Sequence, residues 1–182
     1  MKLVLATKNS GKVVEFRRLL DELGAKGLEV VGLDAFPEIG DIEETGSTFE
    51  ENSLLKARTI SKLTGLPALA DDSGIFIDAL GGEPGIYSAR YSGAGDEANN
   101  ALVLAKLEAL EEQGPIDRTA YFRCAVALSL PFGHKQAGEV IIYTGEMAGE
   151  MLKAPRGENG FGYDPIFQPR GYDRSSAELS AH

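Results

Sequence analysis

The segment Leu66-Pro67-Ala68-Leu69-Ala70-Asp71-Asp72-Ser73-Gly74 constrains this chain more than any other. An apolar run ends abruptly in two adjacent carboxylates, a hydroxyl and a glycine, and a second apolar run, Ile75-Phe76-Ile77, resumes at once. Carboxylates at the end of a buried strand cost desolvation energy unless a cation or hydrogen bonds compensate. Asp71 and Asp72 are therefore the first candidates for a metal site or a catalytic base.

The rest of the chain supplies a frame for that pair. Lys2 to Ala6 reads as a strand. Ser10 to Leu23 carries Val13, Phe16, Leu20 and Leu23 at helical spacing. Gly27 to Leu33 reads as a second strand. Ser47 or Thr48 caps a long helix reaching about Leu63, with Glu50 and Glu51 in its first turn, and Gly65-Leu66-Pro67 ends it. Two short strands are expected to flank Asp71-Asp72. Gly81 to Gly95 reads as a loop, Glu97 to Glu112 as a helix, and Tyr121 to Leu130 and Glu139 to Met147 as strands. Those two strands are joined by a turn at Pro131-Phe132-Gly133, and Ala154 to Pro169 is loop-like. The pattern predicts an α/β fold with a mixed sheet and flanking helices. A length of 182 residues fits one domain with a sizeable core.

Charge and composition exclude some classes of function. The formal net charge of −10 argues against broad nucleic-acid binding, which needs a positive surface. No apolar stretch approaches the ~20 residues that cross a bilayer. The apolar N-terminus is too short for a signal peptide. The one cysteine, Cys124, sits in an apolar strand and reads as a small core residue. A cytoplasmic location is the expectation. A small phosphorylated ligand remains compatible with the acidity, provided local cations or backbone N–H groups meet it.

Four segments carry chemistry. Thr7-Lys8-Asn9-Ser10-Gly11-Lys12 lies between the first strand and the first helix, where free N–H groups and the positive dipole end favour an anion. It lacks the glycine spacing of a Walker A loop, and the same residues also suit an ordinary capped turn. Glu43-Glu44-Thr45-Gly46 precedes the long helix and suits a solvated acidic turn equally well. On that helix Phe49, Ala57, Ile60 and Leu63 share one arc, and Asn52 and Lys56 fall within or beside it. Lys56 then either snorkels to water or points into a pocket, where it holds a phosphate. Gly157 to Asp164 sets glycines around Phe161 and Tyr163, either as an aromatic-anchored turn or as a place where a planar ring stacks.

Taken in order, these segments resemble a known family. The carriers are Thr-Lys-Asn-Ser-Gly-Lys at 7–12, Glu-Glu-Thr-Gly at 43–46, Phe-Glu-Glu-Asn-Ser-Leu-Leu-Lys-Ala at 49–57 and Ala-Asp-Asp-Ser-Gly at 70–74. Pro-Gly-Ile-Tyr-Ser-Ala-Arg-Tyr-Ser-Gly at 84–93, Gly-Phe-Gly-Tyr-Asp-Pro-Ile-Phe at 160–167 and Ala-Glu-Leu-Ser at 177–180 complete the series. The chain resembles the inosine/xanthosine triphosphate pyrophosphatases over essentially its whole length.

The resemblance implies hydrolysis of ITP, dITP and XTP to the monophosphate and pyrophosphate, a Mg²⁺ requirement, a homodimer, and a two-lobed fold around a central cleft. It implies that Thr7, Lys8, Asn9, Ser10, Gly11 and Lys12 bind the nucleotide and its phosphates. Glu44 and Asp72 match the metal-associated acids, and Asp72 matches the general base. Asn52 and Lys56 match positions facing the triphosphate, and Ser73 a substrate contact. Phe161, Gly162, Tyr163 and Asp164 match the base-recognition segment. Asp71 matches either a second ligand or a structural acceptor. Members of that family continue past Ala-Glu-Leu-Ser with a lysine, a Ser-His-Arg motif and a C-terminal helix, and His182 does not match the motif's histidine. A pyrophosphatase for other modified nucleotides, a non-catalytic nucleotide-binding protein, and an acidic interaction domain in which Asp71-Asp72 is only a buried structural pair are the competing readings.

Overall fold

In a computed structural model, residues 1–8, 10–25, 27–131, 133 and 140–180 are described, with only the backbone at Ser10 and Gly11. Asn9, Phe132 of the expected turn, and Glu139 lie outside them. Six strands form one mixed sheet: β1 (Lys2–Leu5), β2 (Glu29–Val31), β3 (Ala68–Ile77), β4 (Thr119–Ser129), β5 (Val140–Met151) and β6 (Phe167–Pro169). Their order is β2-β1-β3-β4-β5-β6. β1 runs parallel to β2 and to β3, whereas β5 and β6 are antiparallel. Three helices accompany the sheet: α1 (Ser10–Glu22), α2 (Phe49–Thr64) and α3 (Asp96–Glu111). The expected α/β class with a mixed sheet and flanking helices is therefore what forms.

The chain packs as two compact units. One comprises Met1–Asp72 with Ala125–Thr144, the other Ser73–Cys124 with Gly145–His182.

In the first unit, the two-residue period of β3 sorts its side chains. Leu69 packs with Leu5, Val30 and the α1 residues Val13, Phe16 and Leu20. Ala68 packs with Val4 and Ile60, and Ala70 packs with Ala57 of α2 and Ala127. Odd positions of β3 thus face α1 and even positions face α2. α2 begins where the sequence signals it should. The Thr48 hydroxyl accepts from the Glu51 N–H at 3.1 Å, while the Glu51 carboxylate accepts from the Ser47 N–H and hydroxyl at 2.7 and 2.8 Å. Gly65, at φ +67°, closes the helix in the left-handed conformation that glycine adopts without strain.

In the second unit, Val103 and Leu107 of α3 pack with Ile75, Ile77, Ala120, Met151, Tyr163, Ile166 and Phe167. A Cβ at Gly149 would lie 2.6 Å from the Phe167 ring, so only glycine lets β5 approach β6 this closely.

Several expectations are corrected. β3 is one continuous strand through Asp71-Asp72, not two short ones, because neighbouring side chains satisfy both acids (below) and the backbone stays in the ladder. The loops at 81–95 and 154–169 hold ordered structure. 3₁₀ turns form at Asp78–Leu80, Gly85–Arg90 and Asp164–Ile166, and β6 follows the last. Short 3₁₀ turns leave no long apolar period to read. β2 is shorter than Gly27 to Leu33, and its end passes into a 3₁₀ turn at Leu33–Ala35. β5 runs on to Met151. Leu23 and Leu63 are exposed. α1 ends at Glu22, and the buried side of α2 centres on Ser53, Ala57 and Ile60. Cys124 is half-buried rather than a core residue.

Candidate active site

The alternation of β3 decides what each acid can touch. Asp71, an odd position, faces α1, where Lys12 Nζ donates to its Oδ2 at 2.6 Å. Both side chains are largely removed from water. Asp72, an even position, faces α2, where Asn52 Nδ2 donates to its Oδ2 at 3.0 Å. Lys56 Nζ stands 3.9 Å from Asp72 Oδ1 and 2.8 Å from Glu44 Oε1. One ammonium therefore lies between two carboxylates that are 28 residues apart in the chain (44 to 72). Lys56 does not snorkel to water; its side chain is 14% exposed.

Asn52 ties this group to the loop before α2. It is 1% exposed, and both ends of its carboxamide are used. Its Nδ2 holds Asp72 and its Oδ1 accepts from the Gly46 N–H at 2.7 Å. A Cβ at Gly46 would lie 2.6 Å from that Oδ1 and 2.7 Å from Glu51 Cβ. The glycine is what allows the Glu44-Thr45-Gly46 loop to lie against the first turn of α2.

The segment ahead of α1 is less uniform. Lys8 pairs with Asp41 at 2.7 Å in an exposed contact, and the hydrogen bond from Lys8, with its charge, holds that carboxyl below the usual carboxylate pKa range. The Thr7 carbonyl accepts from the Leu33 N–H at 2.9 Å. Ser10 and Gly11 open α1.

In the second unit, Ser73 lies on β3 directly after Asp72. The glycine–aromatic segment there is held at several points. The Phe161 N–H donates to Asp164 Oδ2 at 3.0 Å. The Gly162 N–H donates to Asp96 Oδ2 at 2.8 Å, and Asn100 Nδ2 donates to the Gly162 carbonyl at 3.0 Å. Phe161 is 55% exposed, whereas Tyr163 is 3% exposed and its hydroxyl donates to the Ser88 carbonyl at 2.8 Å. Burial pushes the Tyr163 phenol well above its ordinary range, with Tyr91 and Asp96 adding to the effect. Tyr163 thus anchors the segment and Phe161 presents a ring.

Sequence reasoning passed over Asp96, Asn100 and the Lys12–Asp71 pair. The last was open to inference, since Leu69 and Asp71 share a face of any strand drawn through them. Asn100 sits three and seven positions before Val103 and Leu107, so a polar residue on the buried face of α3 was also a visible signal.

In the first unit, hard carboxylate oxygens and ammonium groups form a set suited to a phosphorylated ligand; in the second, the exposed Phe161 ring suits a planar group. Comparisons with known proteins agree with that class. The model of the Ham1 family matches residues 3–182. The dITP/XTP pyrophosphatase of Streptomyces avermitilis is 50% identical over 182 residues, an alignment covering 99% of this chain and 86% of that protein. The crystal structure of a nucleoside-triphosphatase / dITP/XTP pyrophosphatase from Mycobacterium abscessus is 44% identical, with a TM-score of 0.77 over 99% of this chain and 87% of that one. A HAM1 protein from Coxiella burnetii, also 44% identical, superposes with a TM-score of 0.83 over the same shares. The chain belongs to the Ham1 family.

Proposed function

We propose that this protein hydrolyses non-standard purine nucleoside triphosphates (ITP, dITP and XTP) to the monophosphate and pyrophosphate, clearing deaminated purines from the nucleotide pool. Relatives at about half identity over nearly the full chain bear the name dITP/XTP pyrophosphatase. The observation that carries the residue roles is the Lys56 ammonium lying between Glu44 and Asp72.

That convergence supports a Mg²⁺ site. Two hard carboxylates within reach of one cation suit an ion that takes one or two carboxylates and completes its shell with water and phosphate. Glu44 and Asp72 would hold it. When bound, such an ion neutralises phosphoryl charge and lowers the pKa of water.

The chain's own groups do the rest. The Asp72 carboxylate, oriented by Asn52, takes a proton from the water whose oxygen bonds to the α-phosphorus. The bond from that phosphorus to its bridging oxygen breaks, and pyrophosphate leaves. Lys12 and Lys56 offset the triphosphate's charge, with the backbone at the start of α1 (Ser10 and Gly11) and with Thr7, Lys8, Asn9 and Ser73 as further contacts. Phe161 stacks on the base, and Gly162 and Asp164 shape the segment around it. A donor aimed at the 6-keto oxygen of hypoxanthine or xanthine meets an amino group in ATP, and unpaired buried polar groups cost about 1–3 kcal/mol each.

A homodimer in the cytoplasm belongs to the same reading. Strand β5 presents Ile141, Ile142, Tyr143 and Met147 to solvent, apolar surface that a second copy would cover. The net charge of −10 disfavours nucleic acid, and no helix among the described residues is long and apolar enough to cross a membrane.

Purified protein given ITP and Mg²⁺ should release pyrophosphate, and Asp72→Asn should abolish turnover while nucleotide binding persists. Release of orthophosphate, or equal rates with ATP, would sink the proposal. Tight ITP binding with no product would instead mark a nucleotide-binding protein.

A further inference from the structure

Both backbone polar groups of Gly162, in the glycine–aromatic segment, are held by side chains from one distant helix. Its N–H donates to Asp96 Oδ2 at 2.8 Å and its carbonyl accepts from Asn100 Nδ2 at 3.0 Å. Asp96 and Asn100 stand one turn apart on α3, so they project from the same face. That spacing lets one side chain take the donor and the other the acceptor of a single residue. Gly162 itself sits at φ +60°, a conformation that side-chain-bearing residues rarely adopt.

The hold extends to either side of Gly162. Asn99, next to Asn100 on α3, donates to the carbonyls of Ser88 and Ala89 at 3.3 and 3.4 Å. The Ser88 carbonyl also accepts from the Tyr163 hydroxyl. On the other side, the Phe161 N–H is held by Asp164. The first turns of α3 therefore fix the backbone between an exposed ring, Phe161, and a buried one, Tyr163. The Phe161 side chain therefore leaves a backbone whose own N–H and that of the next residue are both held, by Asp164 and by Asp96.

We infer that Asp96 and Asn100 are positioning residues for purine selection: by clamping both peptide groups of Gly162, they aim the segment that reads the base. The inference rests on the reading in which Phe161 to Asp164 face the purine. With its N–H spent on Asp96, Gly162 has no donor left for the base, and its part in recognition is chiefly geometric. Selectivity then depends on two side chains more than 60 positions earlier in the chain than the glycine they hold.

The test measures kcat/KM for dITP and for dGTP with the full chain and with Asp96→Ala, Asn100→Ala, Asp96→Asn and Phe161→Ala. A fall in the folded fraction scales both substrates alike and cancels in the dITP:dGTP ratio, so a merely structural role leaves the ratio where it was. The ratio should fall about fivefold to tenfold in each α3 alanine variant, the effect of one lost hydrogen bond. Asp96→Asn, whose amide oxygen still accepts from Gly162, should restore it. If Asn100→Ala does not fold, Asn100→Asp replaces it, since a carboxylate has no amide donor for the Gly162 carbonyl. An unchanged ratio in the α3 variants, with a lowered ratio in Phe161→Ala, overturns the inference and leaves the base-reading role standing. An unchanged ratio in Phe161→Ala as well overturns both.

Discussion

Two adjacent carboxylates on β3 hold two different lysines. Asp71 takes Lys12 of α1, and Asp72 shares Lys56 of α2 with Glu44. The division follows from strand geometry, since successive residues point to opposite faces. It gives Asp71 a definite task, holding a lysine, on the face of β3 away from Glu44. A double-mutant cycle of Lys12→Met and Asp71→Asn, read by urea unfolding, should give a coupling energy of about 1–2 kcal/mol, as expected of contacting groups shielded from water. The exposed Lys8–Asp41 pair, at nearly the same distance, should give no measurable coupling because solvent screens it. The candidate acids were legible as a motif. The face that Asp71 shares with Leu69 was legible too, but not which lysine meets it there, because Lys12 and Asp71 lie 59 positions apart and only the packing of α1 on β3 joins them.

At the scale of elements, α2 and the loop before it behave as one device. Thr48 caps the helix, Asn52 anchors the Gly46 N–H, and Lys56 reaches Glu44. Thr48→Ala removes a cap and should cost about 1 kcal/mol of stability in chemical denaturation, with little change in KM. Gly46→Ala is a different perturbation. Its Cβ would press on Asn52 Oδ1 and Glu51 Cβ, so the loop carrying Glu44 must move. The expected outcome is a fall of about tenfold or more in kcat/KM for ITP, since sub-ångström misplacement of reacting groups is costly. The limits of α2 were readable within a residue or two, because caps and a closing glycine are local signals. The 3₁₀ turns between 78 and 90 were not. Asn99 and Tyr163, remote in sequence, hold that stretch at Ser88, and no local period marks it.

For the molecule as a whole, acidity sets the pH range of stability. Hydrogen bonds from Lys8, Ser47, Lys106, Arg118 and Thr119 hold Asp41, Glu51, Glu83, Glu111 and Asp117 below their ordinary range. Glu111 is lowered furthest, from 4.5 to about 2, by Arg118 and then Lys153. As pH falls, the unfolded chain protonates these groups first and so binds more protons than the folded one. The contribution of Glu111 is present above about pH 4.5 and is lost as pH falls toward 2. The thermal midpoint should therefore drop through that window, and Glu111→Gln should flatten the drop. A midpoint that is level from pH 5 to 2 would contradict this account.

What the sequence determined by itself is whatever local interactions specify: α1 from its period, α2 from its cap and closing glycine, α3 as a helix between loops, most strands from apolar runs, and an ordered set of motifs that names a family. Tertiary structure alone decided the pairings. It carried β3 unbroken through two acids because a lysine and an asparagine from different helices satisfy them. It set Lys56 between Glu44 and Asp72, and it brought α3 onto Gly162. The reason is physical. Hydrogen bonds and ion pairs act over a few ångströms, so they depend on which distant segments the fold brings together, and a sequence read along its length does not contain that distance.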